Sequence, residues 1–336
     1  IENEDKTILF EETIKELKEN LPGNIYSSWF SNKSLMTDEK SLIEHLPFYQ
    51  IRKGYTYGIF LLSKFGLNMV KASYYLSNIY ILLSILLFTF FSLKHIKYPL
   101  NMITPFILII FGVNLIARTT TPDSMLYFSC VLCSLLYLEN RTDSLLTFIP
   151  FSVLIKTDLI IYSVLIYIFI FFIKKPSKYK IIVSSLATFI LYFYVNFSSS
   201  NYGYAKLFYY TFIDRVKYPA SIEYSYSVRD HFFILFNRIN GIIINYDSWG
   251  SSLFLFMIIL FVLISYRLIQ NYNFQKILEL LINNPLLSLI YLNYFYIIIH
   301  FFLFPRPDIR FFSANYSIIV FSVLNIFSTS ILSEKK

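Results

Sequence analysis

Charged residues, glycine and cysteine are all scarce in this chain of 336 residues. Only 15% of the residues are charged, whereas a soluble domain carries about 25%. The two cysteines, Cys130 and Cys133, lie inside one apolar run, while a CxxC redox motif needs a polar turn before a helix. The sequence contains no zinc or haem signature. These absences argue against a soluble domain, a thiol redox site and a zinc or haem site.

Apolar residues make up 56% of the chain and are concentrated in long runs. A membrane-spanning helix needs about 20 such residues, and several runs reach that length. The excess of Phe, Ile, Asn and Lys can arise from codon bias, so the membrane prediction is based on the apolar runs and not on the composition. The fold class is therefore all-α, a polytopic transmembrane helical bundle. Nine spans are predicted, at residues 70–93, 99–117, 124–138, 145–155, 158–173, 181–197, 250–267, 285–304 and 311–331.

Residues 1–54 form a polar segment that holds nearly half of the acidic residues, ahead of the transmembrane domain at 55–336. The apolar spacing of residues 6–20 predicts a short amphipathic helix within it. Residues 54–67 are apolar but short, which suits a helix lying in the membrane interface. The chain starts at Ile1 rather than Met, so ten spans, with a further N-terminal helix, are the alternative to nine.

Lys and Arg residues in the connecting segments predict the orientation, because cytoplasmic loops are enriched in them. Lys94, Arg141, Lys180 and Lys276 fall on one side if the helices alternate, and that side is assigned to the cytoplasm. The outer side also carries many Lys and Arg residues, which a phosphate-bearing ligand would explain. The outer segments are residues 1–54, 118–123, 156–158, 198–249 and 305–310.

Three polar clusters interrupt the apolar runs at the outer boundary. They are residues 118–123, 156–158 and 304–312. Each also has a purely structural interpretation: Asp123 as the N-cap of a helix, an ion pair or hairpin tip at Lys156 and Asp158, and a rigid two-proline turn. Ionisable groups at this depth are candidates for function. Their common side favours a single site.

The outer loop at residues 198–249 is rich in tyrosine and serine. Aromatic faces stack on sugar rings, although tyrosine is also common at membrane interfaces. Within this loop, residues 231–245 predict a further interfacial helix over a cavity.

In this order, the clusters resemble the membrane glycosyltransferases of the GT-C fold. The closest likeness is to the branch of protein O-mannosyltransferases and aminoarabinose transferases of lipid A. The matching pieces are the acidic run Asn3-Glu4-Asp5, the stretch at 49–68 with its Phe-Gly pair, and the loop from Arg118 to Asp123. Lys156 resembles the family lysine of the lipid-phosphate cavity, and residues 306–310 resemble a late outer loop. The likeness spans most of the chain through short motifs. The chain departs from the family in three respects. The family's first helix and the large C-terminal soluble domain of some relatives have no counterpart in this sequence. Its acidic pair is Glu-Asp, where many relatives have Asp-Glu.

The resemblance implies a transferase that moves a sugar from a polyprenyl-phosphate donor to a hydroxyl of a lipid, glycan or protein acceptor. The reaction would invert the configuration at the anomeric carbon of the sugar. It would take place on the outer or periplasmic face of the cell membrane. Asp5 is the expected general base, with Glu4 in reserve, and Asp123 is expected to position the acceptor or a metal. The residues expected to bind phosphate are Arg52, Arg118, Lys156, Arg306 and Arg310. Those expected to position the acceptor are His45, Asp158 and Asp308, with simple packing as the alternative for His45. A Mg²⁺ or Mn²⁺ cofactor is an option without a visible ligand set. Membrane lipids are expected partners, and nucleic acid is not.

Three other functions stay open. A polymerase or flippase of lipid-linked oligosaccharides would carry the same outer arginines. A secondary transporter would show inverted repeats and helices broken near the midplane, and no internal repeat is visible. A structural membrane protein would not need basic residues beside acidic ones on its outer face.

Overall fold

The computed structural model describes residues 38–174, 178–244 and 248–333, together with residues 11, 12, 14–16, 18 and 19. This part of the chain is helical and contains no strand, which confirms the all-α class. In chain order the α-helices are α1 (Glu39–His45), α2 (Pro47–Gln50), α3 (Lys53–Lys64), α4 (Met69–His95), α5 (Thr104–Ile110), α6 (Val113–Ala117), α7 (Asp123–Leu138), α8 (Thr142–Ile155), α9 (Leu159–Phe169), α10 (Lys178–Ser198), α11 (Gly203–Phe208), α12 (Val228–Ile244), α13 (Trp249–Asn271), α14 (Phe274–Asn283), α15 (Pro285–Leu303) and α16 (Ile309–Ser333). Short 3₁₀ or π turns lie at Leu100–Ile103, Ile170–Lys174, Tyr209–Ile213 and Pro219–Ser221.

Five of the described helices are long and apolar enough to cross a membrane, namely α4, α10, α13, α15 and α16. Shorter apolar helices, including α7, α8 and α9, lie between them in the chain. Length and composition therefore support a helical membrane bundle. The number of spans, predicted as nine, stays a prediction.

Three of the long helices, α4, α13 and α15, begin at polar side chains that accept from their first backbone N–H groups. Asn68 accepts from the Lys71 N–H at 2.8 Å, ahead of α4. The carboxylate of Glu16 accepts from the Met69 N–H at 2.6 Å, so Glu16 lies against the same helix end. Asn284 plays the capping role for α15, with Pro285 at its first position. These are the residue types that favour helix starts.

Helices α15 and α16 pack along each other in the centre of the bundle. Tyr294, Tyr296, Phe312 and Tyr316 are fully buried there. Helices α10 and α13 lie at the periphery and expose much of their apolar surface. Large exposed apolar faces of this kind suit contact with hydrocarbon rather than with water.

The run at residues 99–117, predicted as one span, is instead a 3₁₀ turn followed by α5 and α6. Gly112 separates the two helices with φ of +79°, and a Cβ there would lie 2.8 Å from Ile309 Cδ1. The carbonyls released by the break accept new hydrogen bonds. Trp249 Nε1 donates to Ile110 at 3.1 Å, and the Ser313 hydroxyl donates to Phe111. The break is therefore supported by α13 and α16, neither of which is near in sequence.

The segments preceding α3 pack against the loop after α10, at the same end of the bundle. The Ser199 hydroxyl donates to the Gln50 carbonyl at 2.9 Å, and Tyr202 donates to the Glu44 carbonyl at 3.0 Å. Lys217 pairs with Asp38 at 2.6 Å. Two of the segments assigned to one side of the membrane, 1–54 and 198–249, are thus in direct contact.

Ion pairs also mark the opposite end of the bundle. Lys94 and His95, at the end of α4, both contact Glu139 at the end of α7, at 2.7 and 2.9 Å. Lys180 pairs with Asp143 at 2.7 Å. These basic residues therefore lie at one end of the bundle, and the basic residues of the three polar clusters lie at the other.

Helices α3 and α12 occupy the two regions predicted as interfacial helices, 54–67 and 231–245. The domain boundary drawn after residue 54 falls within the first turn of α3. Helix α14 was not anticipated. Asn273 caps it by accepting from the Lys276 N–H at 2.8 Å, and its apolar residues recur at helical spacing.

Candidate functional site

Three helix junctions meet at one end of the bundle and form a cluster of charged side chains, called here the junction cluster. Its members are Asp123, Lys156, Asp158, His300, Arg306, Asp308 and Arg310. Lys156 Nζ lies 3.3 Å from Asp123 Oδ1 and 3.2 Å from Asp158 Oδ2. Arg310 Nη1 lies 3.9 Å from Asp123 Oδ2. The structure thus brings together residues from all three polar clusters of the sequence.

Asp123 is the first residue of α7, and Pro122 occupies the N-cap position. The structural interpretation of the sequence had Asp123 as the N-cap, but its carboxylate does not cap the helix. It lies against Lys156 instead. Thr121 supports this orientation by donating from Oγ1 to Asp123 Oδ2 at 2.8 Å. The helix N-terminus also favours a negative charge at this position.

Lys156 lies between α8 and α9, where an extended backbone (φ −155°, ψ 126°) ends α8. Its side chain is only 9% exposed, and its Nζ lies 4.4 Å from the centre of the Phe311 ring. A buried ammonium group is stable only when paired, and two carboxylates and an aromatic face surround this one. Lys156 therefore joins the α7 junction to the α8–α9 junction.

Arg310 and Asp308 form a bidentate pair at the start of α16. Arg310 Nη2 donates to Asp308 Oδ2 at 2.8 Å, and Arg310 Nε donates to Asp308 Oδ1 at 3.2 Å. The Arg310 backbone N–H also donates to Asp308 Oδ1 at 3.1 Å. Although burial raises it, these hydrogen bonds and the charge of Arg310 hold the pKa of Asp308 below its ordinary value. The loop between α15 and α16 is thereby fixed.

Arg306 is the most exposed cation of the junction cluster, with 44% of its side chain exposed. Its Nη2 lies 3.5 Å from Asp308 Oδ2, which Arg310 already binds. Burial, together with the positive charges of Arg310, Arg215 and Arg238, holds the pKa of Arg306 below its ordinary value, although Asp308 opposes them. Among the described residues, Arg306 has one ion-pair partner, Asp308, while three other guanidinium groups add positive charge around it, so this side of the cluster is electropositive.

His300 is the member of the junction cluster that the sequence analysis missed. It lies on α15 and is 3% exposed, and its Nε2 is 3.7 Å from Asp158 Oδ2. The available signal was a titratable residue in an apolar run, one turn before the two-proline loop. Its contact with Asp158 depends on the packing of α15 against α9, which sequence spacing does not reveal.

Arg118 and Arg52 are described by the structure but are not members of the junction cluster. Asp5 and Glu4 are outside the described residues. Arg118 is exposed, one turn before Pro122. The guanidinium of Arg52 lies 5.3 Å from the Tyr49 ring centre.

His45 is buried and joins α1 to the loop after α11. Its Nδ1 is 2.7 Å from the Ser41 carbonyl, and its Nε2 is 3.0 Å from the Tyr210 hydroxyl. Both ring nitrogens are thus engaged, which favours the packing alternative over a role in acceptor positioning. Tyr202 and Tyr210 likewise join the segment before α3 to the loop after α10 and to the turn after α11, whereas Tyr204 and Tyr226 are each 40% exposed.

Among the residues that the structure describes, no group of three or more His, Cys, Asp and Glu side chains is arranged to hold a metal ion. Between the carboxylates of Asp123 and Asp158 lies the ammonium group of Lys156.

Acid should weaken the Asp308–Arg310 pair. Its contribution is fully present above the pKa of Asp308 in the unfolded chain, about 3.9, and is lost as the pH falls through the lower value in the folded protein. At neutral pH, Asp308→Asn should lower the free energy of unfolding by about 1.5–3 kcal/mol. Unfolding in detergent between neutral pH and roughly pH 3 should show this gap closing on the acid side. A gap of constant size would contradict the assignment.

The chain matches no family model, no curated protein and no solved structure.

Proposed function

We propose that the protein is an integral membrane glycosyltransferase that moves a sugar from a polyprenyl-phosphate donor to an acceptor hydroxyl at the outer membrane surface. The observation that carries this proposal is the arginine side of the junction cluster. There the positive charges of Arg310, Arg215 and Arg238 all act on the partly exposed Arg306, whose ion-pair partner Asp308 is already bound by Arg310. An anion with several oxygens is the ligand that such a group of guanidinium forks recognises best.

The surroundings of these arginines favour a phosphate that is attached to a lipid. Arg238 lies on α12, which also exposes Phe232, Phe233 and Phe236. This helix is fixed to the end of α15 by His231, whose Nε2 lies 2.8 Å from the Phe302 carbonyl. A prenyl chain would find apolar surface on α12 beside the cations that bind its phosphate. A water-soluble phosphate ester would not use that surface.

The remaining members of the junction cluster supply paired charges rather than additional free cations. Lys156 and Arg310 are both held by carboxylates, so their contribution to phosphate binding depends on Asp123 and Asp308. Asp123, whose side chain is 5% exposed, would orient these two cations rather than touch the acceptor. This differs from the direct positioning role that the resemblance implied for it.

The reaction itself needs one general base. The acceptor oxygen attacks the anomeric carbon, its proton passes to the base, and the bond to the donor phosphate breaks with the electron pair leaving on the phosphate. Asp5 remains the proposed base, with Glu4 as its substitute. The arginines would stabilise the charge that develops on the leaving phosphate.

A transfer assay with full-length protein in membranes tests the proposal. The assay uses a panel of radiolabelled polyprenyl-phosphate sugars, with Asp5→Asn, Asp123→Asn and Asp143→Asn beside the wild type. Asp143 is a matched control because it forms an exposed pair with Lys180 at the opposite end of the bundle. Transfer should fall at least about 100-fold in Asp5→Asn and about 10- to 100-fold in Asp123→Asn. The control should keep wild-type transfer.

Expression and thermal stability of each variant separate a lost function from a lost fold. Unchanged transfer in both Asp5→Asn and Asp123→Asn would refute the two roles. The absence of transfer with every donor, from a folded wild-type protein, would refute the glycosyltransferase and favour a polymerase or flippase.

A further inference from the structure

The two carboxylate oxygens of Asp158 have unequal surroundings. Oδ2 faces Lys156 Nζ at 3.2 Å and His300 Nε2 at 3.7 Å. Oδ1 has no hydrogen bond or ion pair with any of the described residues. The side chain of Asp158 is 39% exposed, against 5% for Asp123 and 17% for Asp308. Asp158 is therefore the most exposed carboxylate of the junction cluster, and Oδ1 is its oxygen without a partner among the described residues.

His300 lies behind Asp158 in an aromatic pocket. Its ring is 5.3 Å from that of Phe312, almost perpendicular to it, and 5.5 Å from those of Phe311 and Tyr296. Its Nδ1 is buried and has no hydrogen-bond partner among the described residues. A phenylalanine would fill such a pocket without the cost of burying a polar nitrogen. The position of Nε2 towards Asp158 is the feature that offsets this cost.

We infer that His300 is a positioning residue, which together with Lys156 holds Asp158 by Oδ2 so that Oδ1 accepts a hydrogen bond from a hydroxyl of the bound ligand. The inference rests on the proposed function, in which that ligand is the sugar or the acceptor. At 3.7 Å the contact is electrostatic, and a hydrogen bond requires Nε2 and Oδ2 to approach by roughly 0.5–1 Å. Binding of a hydroxyl at Oδ1 would draw the side chain into that arrangement. No bond is made or broken in this step, and no proton is transferred.

Three substitutions of His300 distinguish this role from packing. In His300→Gln the amide nitrogen lies near the position of Nε2, whereas in His300→Asn it lies near that of Nδ1. His300→Phe keeps the aromatic packing and removes both nitrogens. Transfer should stay within about threefold of the wild type in His300→Gln and fall about 10- to 100-fold in His300→Asn and His300→Phe. The loss should affect kcat/KM for the substrate whose hydroxyl meets Oδ1 and leave the KM of the other substrate unchanged. Full transfer in His300→Phe would overturn the inference.

A second measurement is independent of transfer. Thermal unfolding is recorded for His300→Phe, Asp158→Asn and the double variant in detergent, and the Tm shift of the double variant should differ from the sum of the single shifts. The contact between His95 and Glu139, at 2.9 Å, provides a positive control through His95→Phe and Glu139→Gln. Additive shifts at His300 and Asp158, with coupling in the control, would overturn the inference even if transfer is observed. Coupling without transfer would place the failure in the proposed function.

Discussion

Lys156→Met should lower the free energy of unfolding by about 3–5 kcal/mol, because it leaves buried negative charge without its closest cation. Asp123 and Asp158 both lie within 3.3 Å of Lys156 Nζ, and the Asp123 side chain is 5% exposed. Arg310 is the next cation, but its Nη1 is 3.9 Å from Asp123 and its Nη2 is bound to Asp308. Methionine has a similar length, so packing against Phe311 is largely kept. Denaturant unfolding of the purified protein in detergent measures the effect.

Lys180→Met is the matched control for this substitution. Lys180 and its partner Asp143 are 52% and 72% exposed, and exposed pairs of this kind contribute about 0–1 kcal/mol. The double variant Asp123→Asn/Lys156→Met removes the buried carboxylate with the ammonium group and should recover part of the loss. A Lys156→Met protein as stable as Lys180→Met would show that the junction cluster is open to solvent. It would then be a surface network rather than a buried site.

Run length and the positions of charged residues predicted much of this fold. The run at 70–93 forms α4, that at 285–304 forms α15, and the polar breaks at Asp123 and Asp158 coincide with the starts of helices. The length of an apolar run and the spacing of its residues suffice to predict such helices, because an uninterrupted apolar run of this length rarely has another stable form. The location of the three polar clusters on one side followed from counting helices, and the structure brings the same clusters together.

The parts that could not be predicted depend on contacts between distant residues. The break at Gly112 is supported by Trp249 and Ser313, from helices far along the chain. The resemblance assigned Lys156 and Arg310 to phosphate binding, and an ion pair with Asp158 was the structural alternative for Lys156; in the structure both cations are paired with aspartates. Which carboxylate faces which cation is decided by helix packing, and one-dimensional spacing contains no such information. For the same reason, Arg215 and Arg238 did not stand out from the other basic residues of their loop.

Gly250→Ala should destabilise the protein by about 1–3 kcal/mol and also reduce transfer strongly, because it overfills the contact between α13 and the loop before α16. A Cβ at residue 250 would lie 2.5 Å from the carbonyl oxygen of Pro307. That oxygen belongs to the backbone and cannot rotate away as a side chain would. The loop has to move, and it carries Arg306 and Asp308. Thermal unfolding and the transfer assay, applied to the same preparation, measure both effects.

Gly241→Ala provides the control, since it makes the same substitution in the interior of α12. A Cβ at that position has no atom within 4 Å, so the gain in helix propensity should stabilise the protein by about 0.5–1 kcal/mol. The two variants therefore should shift stability in opposite directions, although both replace a helical glycine by alanine. If Gly250→Ala were also stabilising and kept full transfer, the loop between α15 and α16 would tolerate displacement. Transfer would then not depend on the position of Arg306 relative to Asp308, which would contradict the expected link between this loop and donor binding.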